Sequence, residues 1–291
     1  MKLTDFKKKL LLLVDQSASQ EKVEQAIFDF YVTKPIPVVQ ATHPFLARAR
    51  MNLNGEVFSN VSQLSYNPNI SGIKIQRANY PGQQVFYGAI PSRTEYADCQ
   101  STASIETCME YVRDHDITRA YMTISKWIIN RPLTVSILPF SALSCSKNFD
   151  FKRANENYLR VINESFGNEQ TEACQYFIDS LGYMSDVFCQ VNDKGKCYPI
   201  SSAYYNVLQT FFTNKRIYLD GLVYPSANTE ASGMNIVLRK DVIDGRSVYL
   251  DMAIMFTMQR DPDNPKHISF VPASEEQRPD ENGNFYFTNI W

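Results

Sequence analysis

The sequence lacks the short motifs that mark many hydrolases, metalloenzymes and nucleotide-binding proteins. It contains no G-x-S-x-G nucleophile elbow, no Walker loop, no H-E-x-x-H and no G-x-G-x-x-G. Its three histidines, His43, His115 and His267, lie far apart, and none of the six cysteines forms a C-x-x-C pair. These absences argue against a metal site. A catalytic triad is disfavoured rather than excluded, because triad residues meet in space and not in sequence.

Concentrated positive charge and long apolar runs are also missing. The chain has 29 basic and 31 acidic side chains, a formal net charge of −2, and its only basic run is the KKK of residues 7–9. The sequence therefore gives no strong signal for nucleic-acid binding. Asp15 interrupts the apolar run of residues 10–14, which favours a helix face over a targeting signal, and no segment predicts a membrane span. We expect a cytoplasmic protein with reduced thiols.

The composition that is present is typical of a globular domain. Hydrophobic residues make up 44% and charged residues 21%, and the 17 Tyr and 18 Phe suit sheet packing and ring-lined pockets. No internal repeat, low-complexity block or clear linker divides the 291 residues. We therefore predict an α+β domain over residues 41–291, preceded by a helical extension over residues 1–40.

The spacing of apolar residues predicts the main elements. Helices are expected near residues 17–33, 101–114, 171–181 and 202–212, where apolar side chains recur three and four positions apart. Strands are expected near residues 45–51, 131–140, 216–226, 233–243 and 247–259. Two further strands are predicted within residues 74–89, joined by a Pro81-Gly82 turn, and a hairpin turn is predicted at Asp244-Gly245.

A series of polar residues stands at the predicted strand ends and at the start of a predicted helix. In order they are Arg48 and Arg50 in FLARARMN, Arg77 and Asn79 in QRANYPG, Tyr87 in VFYGA, Glu106 in STASIETCME, and Ser226 in LDGLVYPSAN. Arg48 and Arg50 alternate along one strand, so their side chains are expected on the same face. Each motif is weak alone, but five in this order are fairly specific.

This series resembles the RES family, which is named for its arginine, glutamate and serine. Its members show an arginine after an early strand, a GRWN-x-x-G turn, a tyrosine ending the next strand, a glutamate on the following helix and a late DG-x-x-Y-x-S segment. The resemblance covers roughly residues 45–238. Gln76 and Ala78 replace the glycine and tryptophan of the turn, and the interval between Glu106 and Ser226 is longer than in compact members. We place an insertion at about residues 115–200.

The resemblance implies a fold similar to ADP-ribosyltransferases, with a split mixed β-sheet, surrounding helices and the dinucleotide in a central cleft. It also implies a toxin or defence effector that consumes NAD+ by cleaving the nicotinamide N-glycosidic bond, as a glycohydrolase or a phosphorylase. A neutralising antitoxin or another regulatory partner would then restrain it. NAD+ would be the substrate, with no cofactor and no metal, and association into a homo-oligomer stays open.

The resemblance leaves three functions open. The chain is expected to degrade NAD+, to transfer ADP-ribose to a macromolecule, or to act as a non-catalytic RES scaffold that binds a nucleotide or a partner. A nucleoside- or sugar-cleaving hydrolase is a further alternative. The changed QRAN turn and the long interval favour the scaffold modestly.

Cleavage of NAD+ requires fewer catalytic groups than ordinary glycoside hydrolysis. Nicotinamide departs from a pyridinium as a neutral base, so no acid must protonate it, whereas most glycosidases use two carboxylates. The sugar becomes oxocarbenium-like, and one carboxylate beside the ribose stabilises that charge. Glu106 is the candidate for this role.

The other residues of the series suit the rest of the dinucleotide. Arg48, or second Arg77, would bind the pyrophosphate through the guanidinium fork, and Arg48 alternatively would hold the nicotinamide ribose. Tyr87 would stack on nicotinamide. Ser226 would hydrogen-bond the nicotinamide amide or a phosphate.

Structural roles are open for the same set of residues. Arg50 is expected to bind substrate or to form a structural ion pair. Arg77 and Asn79 are expected to bind substrate or to stabilise their own turn through backbone hydrogen bonds. Ser226 follows Pro225 and also fits a plain turn serine.

Overall fold

The computed structural model describes residues 2–92, 96–114, 117–167, 171–190, 194–261, 263–264 and 267–288, so His115 lies outside the described residues. Its strands are β1 (Val39–Ala41), β2 (Phe45–Asn52), β3 (Val85–Ile90), β4 (Arg119–Ile129), β5 (Leu133–Ile137), β6 (Gly221–Pro225), β7 (Met234–Arg239), β8 (Val248–Arg260) and β9 (Ile268–Pro272). Its helices are α1 (Leu3–Asp15), α2 (Gln20–Tyr31), α3 (Val61–Leu64), α4 (Tyr96–Arg113), α5 (Ala142–Lys147), α6 (Phe149–Ser165), α7 (Glu172–Cys189), α8 (Lys194–Asn214) and α9 (Lys240–Asp244).

The strands in the described ranges form one mixed sheet in the order β1-β5-β6-β7-β3-β2-β4-β8-β9. Strands β5 and β6 run parallel, and every other neighbouring pair is antiparallel. Helices are segregated from this largely antiparallel sheet instead of alternating with its strands, so the chain is an α+β protein. The predicted fold class is confirmed.

The sheet is divided between β2 and β3. These two neighbours share one registered pair, Ala47 with Ala89, whereas β2 pairs with β4 along its whole length and β3 with β7 along its own. The strands approach closely beside Gly88, where an added Cβ would lie 2.9 Å from Leu46 Cδ1 and 3.1 Å from the Ala47 carbonyl. Beyond this contact the division leaves an opening in the middle of the sheet.

Two groups of helices cover one face of the sheet, and the second, α4, spans the boundary between β2 and β3. Helices α1, α2, α7 and α8 bury their apolar faces against β6 and β7, with Tyr31 at the centre. Its ring lies edge-on to Phe177 and Tyr204, at centroid distances of 6.1 and 5.6 Å. Helix α4 packs on β2, β3 and β4 through residues such as Cys99 and Cys108. A cleft lined by residues of α4 and α8 lies between the two groups of helices.

The opposite face carries its own apolar core, because side chains alternate between the faces of a strand. Its centre is the buried ring of Trp127, 4.8 Å from that of Phe86. Phe58, Phe151 and Phe285 pack into the same cluster from loops, from α6 and from the C-terminal segment. These aromatic residues fix β2, β3 and β4 against one another below the opening.

Two predictions of local structure were wrong. Residues 74–80 form a turn with a bridge between Gln76 and Asn79 instead of a strand, so the predicted hairpin contributes only β3. Asp244, predicted in a hairpin turn with Gly245, instead ends the short helix α9, which interrupts the strand expected to continue through residue 243.

The N-terminal helices and the segment at 115–200 are both integrated into the fold. Phe6 and Leu10 of α1 are fully buried in the core that α7 and α8 also build. Residues 115–200 supply β4 and β5 of the sheet as well as α5, α6, α7 and the start of α8. Among the helices of the described residues, none is both long enough and apolar enough to cross a bilayer.

Candidate active site

A cleft of about 550 Å³ lies at the division of the sheet. Arg48 of β2 and Tyr87 of β3 line it from below, Glu106 of α4 from one side, and Tyr198 of α8 from another. Arg77, from the turn before β3, completes this wall. The volume is within the range of small-molecule and cofactor sites. Four residues of the polar series therefore share one cleft.

Helix geometry directs Glu106 into this cleft. Ala103, Glu106 and Arg113 are three and seven positions apart, so they follow one another along one face of α4, and all three line the cleft. The neighbouring Thr107 hydroxyl donates a hydrogen bond to the Ala49 carbonyl of β2 at 3.3 Å, which fixes the helix to the sheet.

Three neutral side chains hold the Glu106 carboxylate. The Ser226 hydroxyl and the Asn235 amide donate to Oε1 at 2.5 and 2.8 Å, and the Asn228 amide donates to Oε2 at 2.6 Å. No cation among the described residues forms an ion pair with this carboxylate. A carboxylate oxygen accepts about two hydrogen bonds. Oε2, with one side-chain donor, thus retains acceptor capacity.

Ser226 acts through Glu106 in this arrangement. It is fully buried and does not line the cleft, and its hydroxyl is committed to the carboxylate. The sequence predicted a direct contact with nicotinamide or phosphate. The geometry instead gives Ser226 the role of fixing the carboxylate.

The Arg48 guanidinium fills the opening between β2 and β3. Its Nη1 donates to the Tyr87 carbonyl at 2.5 Å, and its Nε donates to the Leu64 carbonyl at 2.9 Å. Burial, and repulsion from Arg50, lower the pKa of Arg48 below the usual arginine value. Its Nη2 donates to no described residue, so an anion in the cleft would find a donor and would favour the charged form of Arg48.

Arg50 is placed outside the cleft. It lies on the same face of β2 as Arg48, as predicted, but its guanidinium donates to the Gln63 carbonyl and lies 5.1 Å from the centre of the Phe58 ring. It forms no ion pair with a described residue. The two arginines of FLARARMN therefore occupy different environments.

Arg77 connects the cleft wall to helix α7. Its Nη1 and Nη2 donate to the carbonyls of Phe188 and Gln190 at 2.6 and 2.9 Å, at the C-terminal end of that helix. A cation is favourable there because the last carbonyls of a helix lack intrahelical partners and carry partial negative charge. Its guanidinium also lies 5.6 Å from the Tyr198 ring centre. Arg77 thus both lines the cleft and holds α7 and α8 in place.

The Tyr87 hydroxyl is committed to the turn of residues 76–79. It accepts a hydrogen bond from the Ala78 amide and donates one to Asn79 Oδ1, both at 2.9 Å. Burial raises the pKa of this phenol above its usual range. The part of Tyr87 available to a ligand is therefore its ring. Asn79 is buried, does not line the cleft, and also donates to the Lys74 and Tyr80 carbonyls.

The sequence reasoning missed several residues of this site. They are Asn228 and Asn235, which hold Glu106, and Lys74, Met109, Arg113, Tyr198 and Tyr224, which line the cleft. Asn235 could have been found as the one polar residue in the apolar run MNIVL of β7. The others carry no comparable signal, since a rim cation or a buried tyrosine occurs throughout any chain of this composition.

Among the described residues that line the cleft, Glu106 is the single carboxylate and four side chains are cationic. Arg48 and Arg77 are the inner cations, and Lys74 and Arg113 are exposed at the edge of the cleft. Neither Lys74 nor Arg113 forms an ion pair with a described residue. Such a distribution favours a ligand that is anionic over most of its length and carries a positive centre next to Glu106.

No protein-family model matches this chain, and no curated protein matches it in sequence. Within the described residues, no three His, Cys, Asp or Glu side chains come together as a metal-binding group. Function is therefore inferred from the geometry of the cleft and from the order of the motifs.

Proposed function

We propose that this chain binds NAD+ in the cleft and cleaves its nicotinamide N-glycosidic bond. The observation that supports this most strongly is the Glu106 carboxylate. It lies in a cleft whose other charged lining residues are all cations, and its hydrogen-bond donors are all neutral. NAD+ has the matching pattern, with an anionic pyrophosphate at its centre and a cationic nicotinamide at one end. Membership of the RES family and an ADP-ribosyltransferase-like sheet are part of the same proposal.

Glu106 would stabilise the transition state of the cleavage step. The bond between ribose C1′ and the nicotinamide nitrogen breaks, and its electron pair stays on the nitrogen, so nicotinamide leaves neutral. Positive charge moves onto the ribose ring, where the fixed carboxylate faces it. Because its donors already orient the carboxylate, little reorganisation is required as the charge develops. The free capacity of Oε2 suits a ribose hydroxyl.

The cations of the cleft would bind the phosphates. Arg48 presents an unused Nη2, and Lys74 and Arg113 add charge at the edge of the cleft. Arginine binds phosphate oxygens through two parallel N–H groups, which fixes orientation as well as adding affinity. The Tyr87 ring would form the flat surface for nicotinamide, since its hydroxyl is held away in the turn.

The ribosyl cation must be captured by an acceptor, and three acceptors give three products. Water gives free ADP-ribose, with its surplus proton lost to solvent. Phosphate gives ADP-ribose-1″-phosphate, and a macromolecular nucleophile gives an ADP-ribosylated product. The motif order favours degradation of NAD+ as a toxin or defence effector in the cytoplasm, controlled by a partner protein.

The test is the NAD+ content of cells after induced expression. The wild type is expected to deplete NAD+, and Glu106→Gln, expressed to the same level, is expected to leave NAD+ unchanged. Labelled NAD+ supplied to the purified protein then separates the acceptors by the fate of the label. Equal NAD+ content in cells expressing either protein would refute the proposal. Tight NAD+ binding without turnover would support the scaffold alternative.

A further inference from the structure

The loop between β6 and β7, residues 226–233, carries two of the three groups that hold Glu106. Ser226 is its first residue and Asn228 its third. The Ser226 amide donates to the Gly233 carbonyl at 2.9 Å, and the Ala231 amide donates to the Ser226 carbonyl at 2.8 Å. We call residues 226–233 the carboxylate loop. Its conformation determines where two donors to Glu106 lie.

This loop contains two residues in a left-handed backbone conformation, which hydrogen bonds within the loop and contacts from neighbouring elements both support. Glu230 and Ala231 have φ values of 51° and 65°, in the left-handed region that residues with a Cβ rarely occupy. Such residues persist where surrounding contacts fix them. On one side the support is α4, because a Cβ on Gly233 would come within 2.3 Å of Thr102 Oγ1.

On the other side the loop is held by the junction of α5 and α6. The Asn148 amide donates to the Ser232 carbonyl at 2.7 Å, and Lys147 pairs with Glu230 at 2.6 Å. The Lys147–Glu230 pair is exposed, and exposed pairs contribute little. Asn148 is buried, with a side-chain oxygen that accepts from the amides of Asp150 and Phe151 and so caps α6. One side chain therefore joins the start of α6 to the carboxylate loop.

We infer that Asn148 is a positioning residue for Glu106, acting by holding the carboxylate loop in its left-handed conformation. Loss of its bond to Ser232 would allow residues 230–232 to relax and would shift Ser226 and Asn228 away from the carboxylate. Glu106 would then remain in the cleft without a fixed orientation. The catalytic part of this inference rests on the proposed function, whereas the structural part does not.

One substitution separates the two roles of Asn148, which are to cap α6 and to donate to the Ser232 carbonyl. In Asn148→Asp the side-chain oxygens still cap α6, but no amide remains to donate to the Ser232 carbonyl. Asn148→Ser is a second variant, since serine caps helices but is too short to reach that carbonyl. Asn155→Ala is the matched control, because Asn155 also lies on α6 and donates to the Pro139 carbonyl at 3.1 Å, away from the loop.

Hydrogen–deuterium exchange of the ligand-free protein tests the structural part. The peptide containing residues 226–233 is expected to exchange at least about fivefold faster in Asn148→Asp and Asn148→Ser, and unchanged in Asn155→Ala. Steady-state kinetics with NAD+ tests the catalytic part. Both Asn148 variants are expected to lower kcat about tenfold or more while KM changes less than about twofold, because the carboxylate acts in the transition state.

The outcomes distinguish this inference from the proposed function. Unchanged loop exchange in both Asn148 variants overturns the inference, and so does equal acceleration in Asn155→Ala. Faster exchange with unchanged kcat overturns the positioning role. A wild type that releases no nicotinamide refutes the proposed function, and the exchange data still decide whether Asn148 holds the loop.

Discussion

The Ser226 hydroxyl donates a 2.5 Å hydrogen bond to Oε1 of Glu106, from a residue 120 positions further along the chain. The bond joins α4, which packs on β2, β3 and β4, to the loop between β6 and β7. The helix and the loop are thus connected through the proposed catalytic group itself. A shift of either element would move the carboxylate relative to its donors.

The donors of Glu106 are expected to contribute to turnover. Asn235→Leu keeps a similar volume and removes the amide that lies 2.8 Å from Oε1. Loss of one preorganised hydrogen bond should lower kcat by about tenfold or more, with KM nearly unchanged. Steady-state nicotinamide release measures this. Asn130→Ala, which loses an exposed amide bond to the Arg246 carbonyl, is the control and should retain wild-type rates.

The two arginines of β2 are expected to respond differently to substitution. Arg48→Lys keeps a charge but loses the planar fork that spans Tyr87, Leu64 and the cleft. Its KM for NAD+ should rise by about tenfold. Arg50→Lys changes a residue outside the cleft and should leave KM within about twofold of wild type. A larger effect from Arg50 than from Arg48 would contradict the assignment of the phosphate site.

The hydroxyl and the ring of Tyr87 are expected to have separable roles. Tyr87→Phe leaves the Ala78 amide and Asn79 Oδ1 without their partner, which should lower the free energy of unfolding by about 1–3 kcal/mol. The ring remains, so KM for NAD+ should change little. Tyr87→Leu should raise KM markedly as well, because the flat surface is lost. Urea unfolding and kinetics of the same preparations test both statements.

An ion pair between the buried Asp220, just before β6, and the exposed Arg131 is expected to support the fold. Asp220 is buried, and both its oxygens accept from Arg131, at 2.7 and 2.8 Å, while the Thr134 amide donates at 2.7 Å. Asp220→Asn should lower the free energy of unfolding by about 1 kcal/mol, since it weakens the hydrogen bonds from Arg131 while the exposed guanidinium stays solvated. Chemical denaturation measures this. Lys240→Ala, which breaks the exposed pair with Asp244, should change stability little.

Local patterns in the sequence predicted α2, α4, α7, α8 and six of the described strands, but neither the long helix α6 nor the central strand β4. The helix at α4 and the strands at β2, β5 and β8 follow from periodic apolar residues bounded by turn or capping residues. Prediction failed at residues 74–80, where Asn79 bonds the backbone of its own turn and the Tyr87 hydroxyl. These hydrogen bonds compete with strand pairing, and the spacing of apolar residues along the sequence does not reveal them.

The site was predictable only in part, because its residues meet through tertiary contacts. Motif order identified Glu106, Arg48, Arg77 and Tyr87, which line one cleft. It did not separate the environments of Arg48 and Arg50, since both alternate on one strand face and only the division of the sheet distinguishes them. Ser226 was in the series but with another role, and the other two donors to Glu106, Asn228 and Asn235, lie more than 100 residues away with no local pattern to link them.

Nicotinamide release by the purified protein tests the role of Glu106 most directly. Wild type and Glu106→Gln are incubated with NAD+, and the binding of NAD+ to Glu106→Gln is measured by calorimetry in the same buffer. We predict that the wild type releases nicotinamide. Glu106→Gln should bind NAD+ but release nicotinamide at least about a hundredfold more slowly. Equal rates from two correctly folded proteins would contradict the proposal that this carboxylate stabilises the departing ribosyl cation.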